Sequence, residues 1–165
     1  MKLKTKLKKG FTLVELLVAM SLFSLFIFLM TDIFSSTLRL RVESESTSYL
    51  DQDAQFIIAR LMYDIPRAST VSIPTSLGST ATSLQLSINA INYSYSISNG
   101  NLVLNTDVGT DQLNSSSTTV TSITFQRFGK GSGKDTVQIK FTLQSKFLQS
   151  SGYETKSYQT TVGMR

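Results

Sequence analysis

The chain has 165 residues, which suits one domain and a membrane segment, and its formal net charge is +5. Five of its 16 basic residues precede Gly10, so the 11 that remain equal the 11 acidic residues in number. The positive charge therefore belongs to the N-terminal segment and does not indicate nucleic-acid binding by the rest of the chain. The absence of cysteine and histidine excludes disulfide bonds, metal sites of imidazole and thiolate, and catalysis by either side chain.

The N-terminal segment is short and basic up to Gly10, and an apolar run of 20 residues then extends from Phe11 to Met30. A helix of that length spans ~30 Å, the thickness of a bilayer's hydrocarbon core. A secretory signal peptide has a shorter apolar core followed by a small-residue cleavage site, which this run lacks. The sequence predicts a retained, single-pass transmembrane helix whose basic flank stays in the cytoplasm and whose C-terminal part lies outside the membrane.

One carboxylate, that of Glu15, lies inside the apolar run. A charged side chain at membrane depth costs about 2.5–3.5 kcal/mol on insertion scales, so such a residue is rare and usually has a partner. In an ordinary signal anchor, a lone glutamate would merely lie near the membrane interface. If Glu15 has a partner it has a function, whereas in an ordinary signal anchor it has none.

The Lys-rich leader, Gly10, the sequence Phe11-Thr12-Leu13-Val14-Glu15 and the apolar helix together resemble the prepilin N-terminus of type IV pilins and type II secretion pseudopilins. The resemblance implies that a prepilin peptidase cleaves between Gly10 and Phe11 and methylates the new amine of Phe11. It also implies that Glu15 helps to neutralise the N-terminus of a neighbouring subunit in a filament. The implied partners are other pilins or pseudopilins, membrane lipid, and an inner-membrane assembly platform with its ATPase.

The helical pattern continues beyond the membrane segment, because residues 31–65 contain neither proline nor glycine. The stretch Ser44–Ser48 is poor in helix formers, and we expect it to be mobile. Pro66 should end the helix, which would then have about 55 residues and a length of ~80 Å. An apolar stripe at spacings of three and four predicts a face that packs under a sheet, and we expect the nearby charged residues Asp51, Asp53, Arg60 and Asp64 to lie mostly off it; the stripe comprises Leu50, Ala54, Ile57, Ile58, Leu61, Met62 and Ile65.

Alternating apolar residues replace the helical period after Pro66 and predict strands. A short edge strand at Val71 and Ile73 should stop at Pro74, and Asn99-Gly100 predicts a tight hairpin turn. Asn105–Thr119 is predicted to be a polar loop. Further strands are predicted at Leu84–Ile88, Ile91–Ile97, Leu102–Leu104, Ile123–Phe125, Val137–Leu143 and between Tyr153 and Val162.

Alternating strands bury one face and need a cover, and the stripe on the helix is the cover that the sequence offers. We therefore predict an α+β fold in which a long N-terminal helix packs on an antiparallel sheet. The predicted division is a cleaved leader (1–10), a transmembrane and filament-core helix (11–31), a helix continuation (32–66) and a β-rich head (67–165). The order of these elements is similar to that in minor pilins of the PilW type and in J-type pseudopilins.

The loop from Gly129 to Asp135 superficially resembles a phosphate-binding loop, but its glycine spacing is one residue short and Asp135 follows Lys134. A hairpin loop is the better interpretation. Arg127, Lys130 and Lys134 are candidates for a DNA-binding patch, although a solvated loop explains them more simply.

Oxygen-bearing residues at Asn105, Asp107, Asp111 and Asn114 are candidates for a Ca²⁺ site, with Asp107 and Asp111 the only charged members. They do not follow the EF-hand spacing, and such residues are common in loops. Tyr93 and Tyr95 are predicted to be sheet residues and not a sugar-binding platform. We predict no cofactor.

These features predict a structural filament subunit and not an enzyme. The specific prediction is a minor pilin or pseudopilin of a type IV pilus, a competence pilus or a type II secretion pseudopilus, which primes or caps the fibre. Many major pilins of the family that the sequence resembles carry a helix-kinking proline in the membrane half of the helix, so the absence of a proline before Pro66 favours a minor subunit over the main building block. The alternative is a membrane-anchored extracytoplasmic adhesin or binding module that does not assemble; an anchored exoenzyme would need a polar cleft that the sequence does not indicate.

Overall fold

A computed structural model describes residues 10, 12–129, 134–149 and 151–165. The chain forms one long helix, α1 (Leu13–Asp64), then a 3₁₀ turn over Ile65–Arg67. Nine strands follow in the described part of the chain: β1 (Thr70–Ile73), β2 (Thr80–Ala81), β3 (Leu84–Ile88), β4 (Ile91–Ser98), β5 (Asn101–Asn105), β6 (Thr110–Gln112), β7 (Thr118–Phe128), β8 (Thr136–Gln149) and β9 (Gly152–Gly163). The leader up to Lys9, Phe11 and the loop residues 130–133 lie outside the described residues.

Helix α1 has 52 residues and ends where the sequence predicts, because Pro66 occupies the first turn of the 3₁₀ segment that replaces it. The expectation that Ser44–Ser48 is mobile is wrong. This stretch is helical throughout, and Ser46 is 0% exposed. Packing against the head overrides the weak helix propensity of its serines.

The strands form two antiparallel sheets, not the single sheet that was predicted. The first has the order β1-β3-β4-β5-β6 and the second has the order β2-β7-β8-β9. The predicted polar loop Asn105–Thr119 is also wrong in part, because it contains β6 and the start of β7 and buries Leu113 and Asn114. Strand β2, which has two residues, was not predicted.

Other local predictions are confirmed. Strand β1 lies at a sheet edge and Pro74 follows it. Asn99 and Gly100 have φ angles of 51° and 76°, as the two central residues of a tight hairpin between β4 and β5 require.

The chain divides into two compact units, Met1–Arg41 and Val42–Arg165. In the second unit one face of α1 packs on the sheets, so the predicted α+β fold is confirmed. The residues of the predicted stripe are buried, except Ile58, which is partly buried, and Met62, which is 53% exposed. The core contributed by the strands is Val71, Leu84, Leu86, Ile88, Tyr95, Leu102, Leu104, Val120, Ile123, Phe125, Val137, Ile139, Phe141, Leu143 and Val162.

Candidate site for processing and assembly at the start of the helix

The N-terminus of α1 is capped by reciprocal hydrogen bonds between Thr12 and Glu15. The backbone N–H and Oγ1 of Thr12 both donate to Oε2 of Glu15, at 3.0 and 3.1 Å, and the N–H of Glu15 donates to Oγ1 of Thr12 at 3.2 Å. This is the capping box, in which an N-cap threonine and a glutamate three residues later satisfy each other's amides. The carboxylate that the sequence marks as anomalous therefore has a partner within its own chain.

The position of Glu15 also suits its charge. It lies in the first turn of α1, where unpaired amide groups and the helix dipole favour an anion. Both Thr12 and Glu15 are exposed, so the carboxylate remains accessible to a cation from another molecule. The contribution of Thr12 was not predicted; the pattern Thr-x-x-Glu before an apolar run would have indicated it.

The predicted cleavage position begins at Gly10, which is exposed, and no atom of the described residues lies within 4 Å of the place where its Cβ would be. Phe11, the predicted site of methylation, lies outside the described residues.

The apolar half of α1 has its hydroxyl groups satisfied by the helix itself. Ser21 donates to the carbonyl of Val18, and Ser24 donates to that of Met20, each at 2.9 Å. Thr31 bonds the carbonyl four residues earlier in the same way. Internal satisfaction of polar groups is the condition for placing a segment in hydrocarbon, where water cannot serve as a partner.

Among the described residues one helix, over Leu13–Arg67, is long and apolar enough to cross a membrane by length and composition. The mean hydropathy of its most apolar window is 2.5, and none of that window is buried. The apolar side chains are instead exposed, from Leu13 at 75% to Met30 at 46%. Such a surface requires lipid or other apolar helices around it.

A family model described as the prokaryotic N-terminal methylation motif matches residues 5–31. The motif supports the type IV pilin and pseudopilin family. It implies processing by a prepilin peptidase and assembly with other pilins, and pilins are structural proteins and not enzymes. Together with the apolar helix it also indicates membrane anchoring. No curated protein and no solved structure matches the chain.

The other candidate residues lie in the head. Asp107 is in the β5–β6 turn and Asp111 is on β6, and both are exposed. The side-chain Oδ1 of Asn105 accepts a hydrogen bond from Thr110 at 2.6 Å. Asn114 is buried and bonds backbone groups, including the N–H of Leu102 at 2.9 Å. Within residues 12–129, 134–149 and 151–165 no three acidic residues are grouped as a metal site would need.

Of the three basic residues predicted as candidates for DNA binding, Arg127 instead binds other residues of the head. Its guanidinium pairs with Asp135 at 2.6 Å and donates to the carbonyls of Val71, Pro74 and Thr75 at 2.9–3.1 Å. Lys134 is exposed, and Lys130 lies outside the described residues. The guanidinium of Arg127 therefore fastens the segment after β1 to β7.

Three carboxylates of α1 bind residues of the head, which the sequence pattern did not indicate. The expectation that Asp53 and Asp64 lie off the packed face is wrong, since they are 8% and 0% exposed. Oδ2 of Asp53 accepts bonds from the backbone and side chain of Ser115 and from the hydroxyl of Thr118. Asp51 pairs with Lys156 at 3.1 Å, and Asp64 bonds Tyr95.

Proposed function

We propose that this chain is a minor pilin or pseudopilin, a structural subunit that is processed at Gly10 and assembled into a fibre. The supporting observation is the capping box of Thr12 and Glu15, which begins the apolar helix inside the methylation motif. It holds a carboxylate at the end of the helix that cleavage would expose, where the new amine of a neighbouring subunit needs a counter-charge.

The proposed sequence of events starts with the chain in the inner membrane and its head outside the cytoplasm. Prepilin peptidase removes residues 1–10 and methylates the amine of Phe11. The helix over 11–31 then packs laterally against those of other subunits, and an assembly platform with its ATPase extracts the subunit from the membrane. Residues 32–66 and 67–165 form the helix continuation and the head.

The finer assignment is a minor subunit of the PilW type or a J-type pseudopilin, which primes or caps a type IV pilus, a competence pilus or a type II secretion pseudopilus. One feature supports a minor subunit: α1 has no proline within its 52 residues, whereas many major pilins carry one in the membrane half of the helix. Genes adjacent to the one encoding this chain would distinguish the three machines.

The first test is the intact mass of the protein from sheared surface fibres and, separately, from membranes. We expect a species in the fibre fraction that begins at methylated Phe11. A Gly10→Val variant is the matched control, because Gly10 has open space around its Cβ position and the substitution should affect only the peptidase. A wild-type chain that keeps residues 1–10 and stays in membranes, in cells with active peptidase, would contradict the proposal.

The role of Glu15 is tested with Glu15→Ala in the same cells. The variant should still be found in the membrane. Its amount in fibres should fall roughly tenfold or more, because the new amine of a neighbouring subunit would lose its counter-charge, and an uncompensated charge at membrane depth costs several kcal/mol. Unchanged recovery in fibres would remove Glu15 from assembly. An anchored adhesin that does not assemble would be absent from the fibre fraction with either residue.

A further inference from the structure

The described strands leave four sheet edges, and three of them are short or irregular. Strand β1 has four residues, shifts register between Val71 and Ile73 and precedes Pro74, while β6 has three residues and β2 has two. Short strands, bulges and proline prevent other chains from pairing with an edge. The fourth edge, β9, is longer and more regular: it has 12 residues and no proline, and after one register shift between Tyr153 and Thr155 it keeps one register with β8 from Thr155 to Gly163.

The backbone of β9 directs every second residue away from the sheet. The N–H of Met164 donates to the carbonyl of Asp135 at 2.9 Å, in the register that joins Gly163 to Thr136. Because antiparallel ladders alternate, the even-numbered residues of β9 bond β8 and the odd-numbered residues do not. The N–H and C=O groups of the outer residues therefore point outward along the open edge; these residues are Thr155, Ser157, Gln159 and Thr161.

The side chains along this edge are compatible with another strand. The four outer residues are exposed and uncharged, and Ser157 bonds Thr142 of β8 across the solvent face at 2.9 Å. The two charged residues of β9 have partners within the head: Lys156 forms an ion pair with Asp51, and Glu154 accepts a hydrogen bond from Thr47. Neither side chain is left to repel an incoming chain.

The inner face of β9 next to the open edge is partly apolar. The ring of Tyr158 stacks on that of Phe141 with centroids 5.4 Å apart, and Val162 is buried. A strand placed beside β9 would continue both faces, with apolar residues beside Tyr158 and Val162 and hydroxyl or amide residues beside Ser157 and Gln159.

We infer that β9 is a docking edge for an extended segment of a different polypeptide, which adds to the four-stranded sheet as a fifth strand. The repeating pairs of outward N–H and C=O groups, two residues or about 6.8 Å apart, match the backbone of another strand. The partner is an uncharged segment of about seven to nine residues that alternates apolar with Ser, Thr, Asn or Gln side chains. The inference does not depend on processing or fibre assembly.

The test uses the full chain in detergent micelles and a synthetic peptide that copies residues 136–144 with the change Lys140→Gln, so that the peptide is uncharged as the proposed partner is. This peptide otherwise repeats the sequence of β8, the strand whose alternation already matches β9 on its other side. Residue-resolved amide hydrogen exchange is measured with and without peptide. Exchange at Thr155, Ser157, Gln159 and Thr161 should slow by about tenfold or more, while that at Lys156, Tyr158 and Thr160 should not change.

A proline at an outer position removes an outward N–H without removing a bond to β8. Gln159→Pro should therefore weaken peptide binding about tenfold or more, whereas Gln159→Ala, which keeps the N–H, should bind as the wild type does. Circular dichroism and thermal unfolding of both variants check that the head stays folded, and the exchange experiment on the wild type does not depend on them.

Two results would overturn the inference. The first is peptide binding that leaves the outer amides unprotected, or no binding at millimolar peptide. The second is protection of the outer amides that rises with protein concentration in the absence of peptide, which would assign this edge to a second copy of the chain.

Discussion

The phenolic hydroxyl of Tyr95 on β4 donates a 2.5 Å hydrogen bond to the carboxylate of Asp64 in the last turn of α1. Both residues are 0% exposed, and the same carboxylate oxygen accepts a bond from Nε of Arg60 at 2.7 Å. Burial, and then the adjacent carboxylate, raise the pKa of Tyr95 above its ordinary value of 10.0, so the hydroxyl remains a donor. This contact ties the end of α1 to the first sheet.

Tyr95→Phe should lower the free energy of unfolding by about 1–3 kcal/mol, because it leaves a buried carboxylate with one donor fewer. Urea unfolding of the full chain in micelles, followed by circular dichroism, measures the change. Tyr93→Phe is the matched control, since Tyr93 is two residues away on the same strand but only partly buried. Equal effects of the two substitutions would contradict the assigned role of the Asp64 contact.

Asp53→Ala should destabilise the head by about 1.5–3 kcal/mol, the range for hydrogen bonds to a charged group. The substitution removes the acceptor for the Ser115 N–H, which lies 2.9 Å away, and for the hydroxyl of Thr118. Urea unfolding again measures the change, with Gln52→Ala, at the adjacent exposed position, as the control. A loss of less than ~0.5 kcal/mol would mean that the turn before β7 does not depend on Asp53.

Stability should fall in acid partly through Asp51. Hydrogen bonds from Tyr158 and then Lys156 hold the pKa of Asp51 below its ordinary value of 3.8. A lowered folded-state pKa means that this contribution is complete above about pH 3.8 and is lost as pH falls through the folded-state pKa. Thermal unfolding is measured between about pH 2 and pH 6. The stability of Asp51→Asn should fall less in acid than that of the wild type. Identical profiles would contradict the assignment.

Arg127→Ala should destabilise the head by about 2–4 kcal/mol, because it leaves Asp135 without its ion pair and removes the donor to three carbonyl groups. Lys134→Ala, in the exposed part of the same connection, should change stability by less than ~0.5 kcal/mol. Thermal unfolding of the two variants compares them directly. A neutral Arg127→Ala would leave its guanidinium available for another role, including the predicted contact with DNA.

Thr12→Val should loosen the start of α1, because the valine keeps the shape of the side chain but cannot form the capping box. An N-cap of this kind is worth about 1 kcal/mol, so amide exchange in the first turn should accelerate about fivefold. Thr12→Ser is the control, since serine retains the hydroxyl that bonds the Glu15 N–H. Equal exchange rates in the three proteins would show that Thr12 does not hold the carboxylate.

Several features could be predicted from the sequence because they depend on neighbours along the chain. The apolar run before Met30 determines a membrane-competent helix, Pro66 ends that helix, and Asn99-Gly100 forms the turn between β4 and β5. The α+β class follows from a helical stripe and alternating strands. The methylation motif is also local, and its match over residues 5–31 supports the predicted family.

The other features of the fold depend on contacts between residues that are far apart in the sequence. The number of sheets depends on which strands meet, and alternation within a strand carries no information about its partner. Asp53 bonds Ser115 across 62 residues and Asp64 bonds Tyr95 across 31 residues, so the period of α1 alone marked both carboxylates as exposed. Only the folded head supplies the donors that make it favourable to bury a carboxylate, and only the strand order leaves β9 with an open edge.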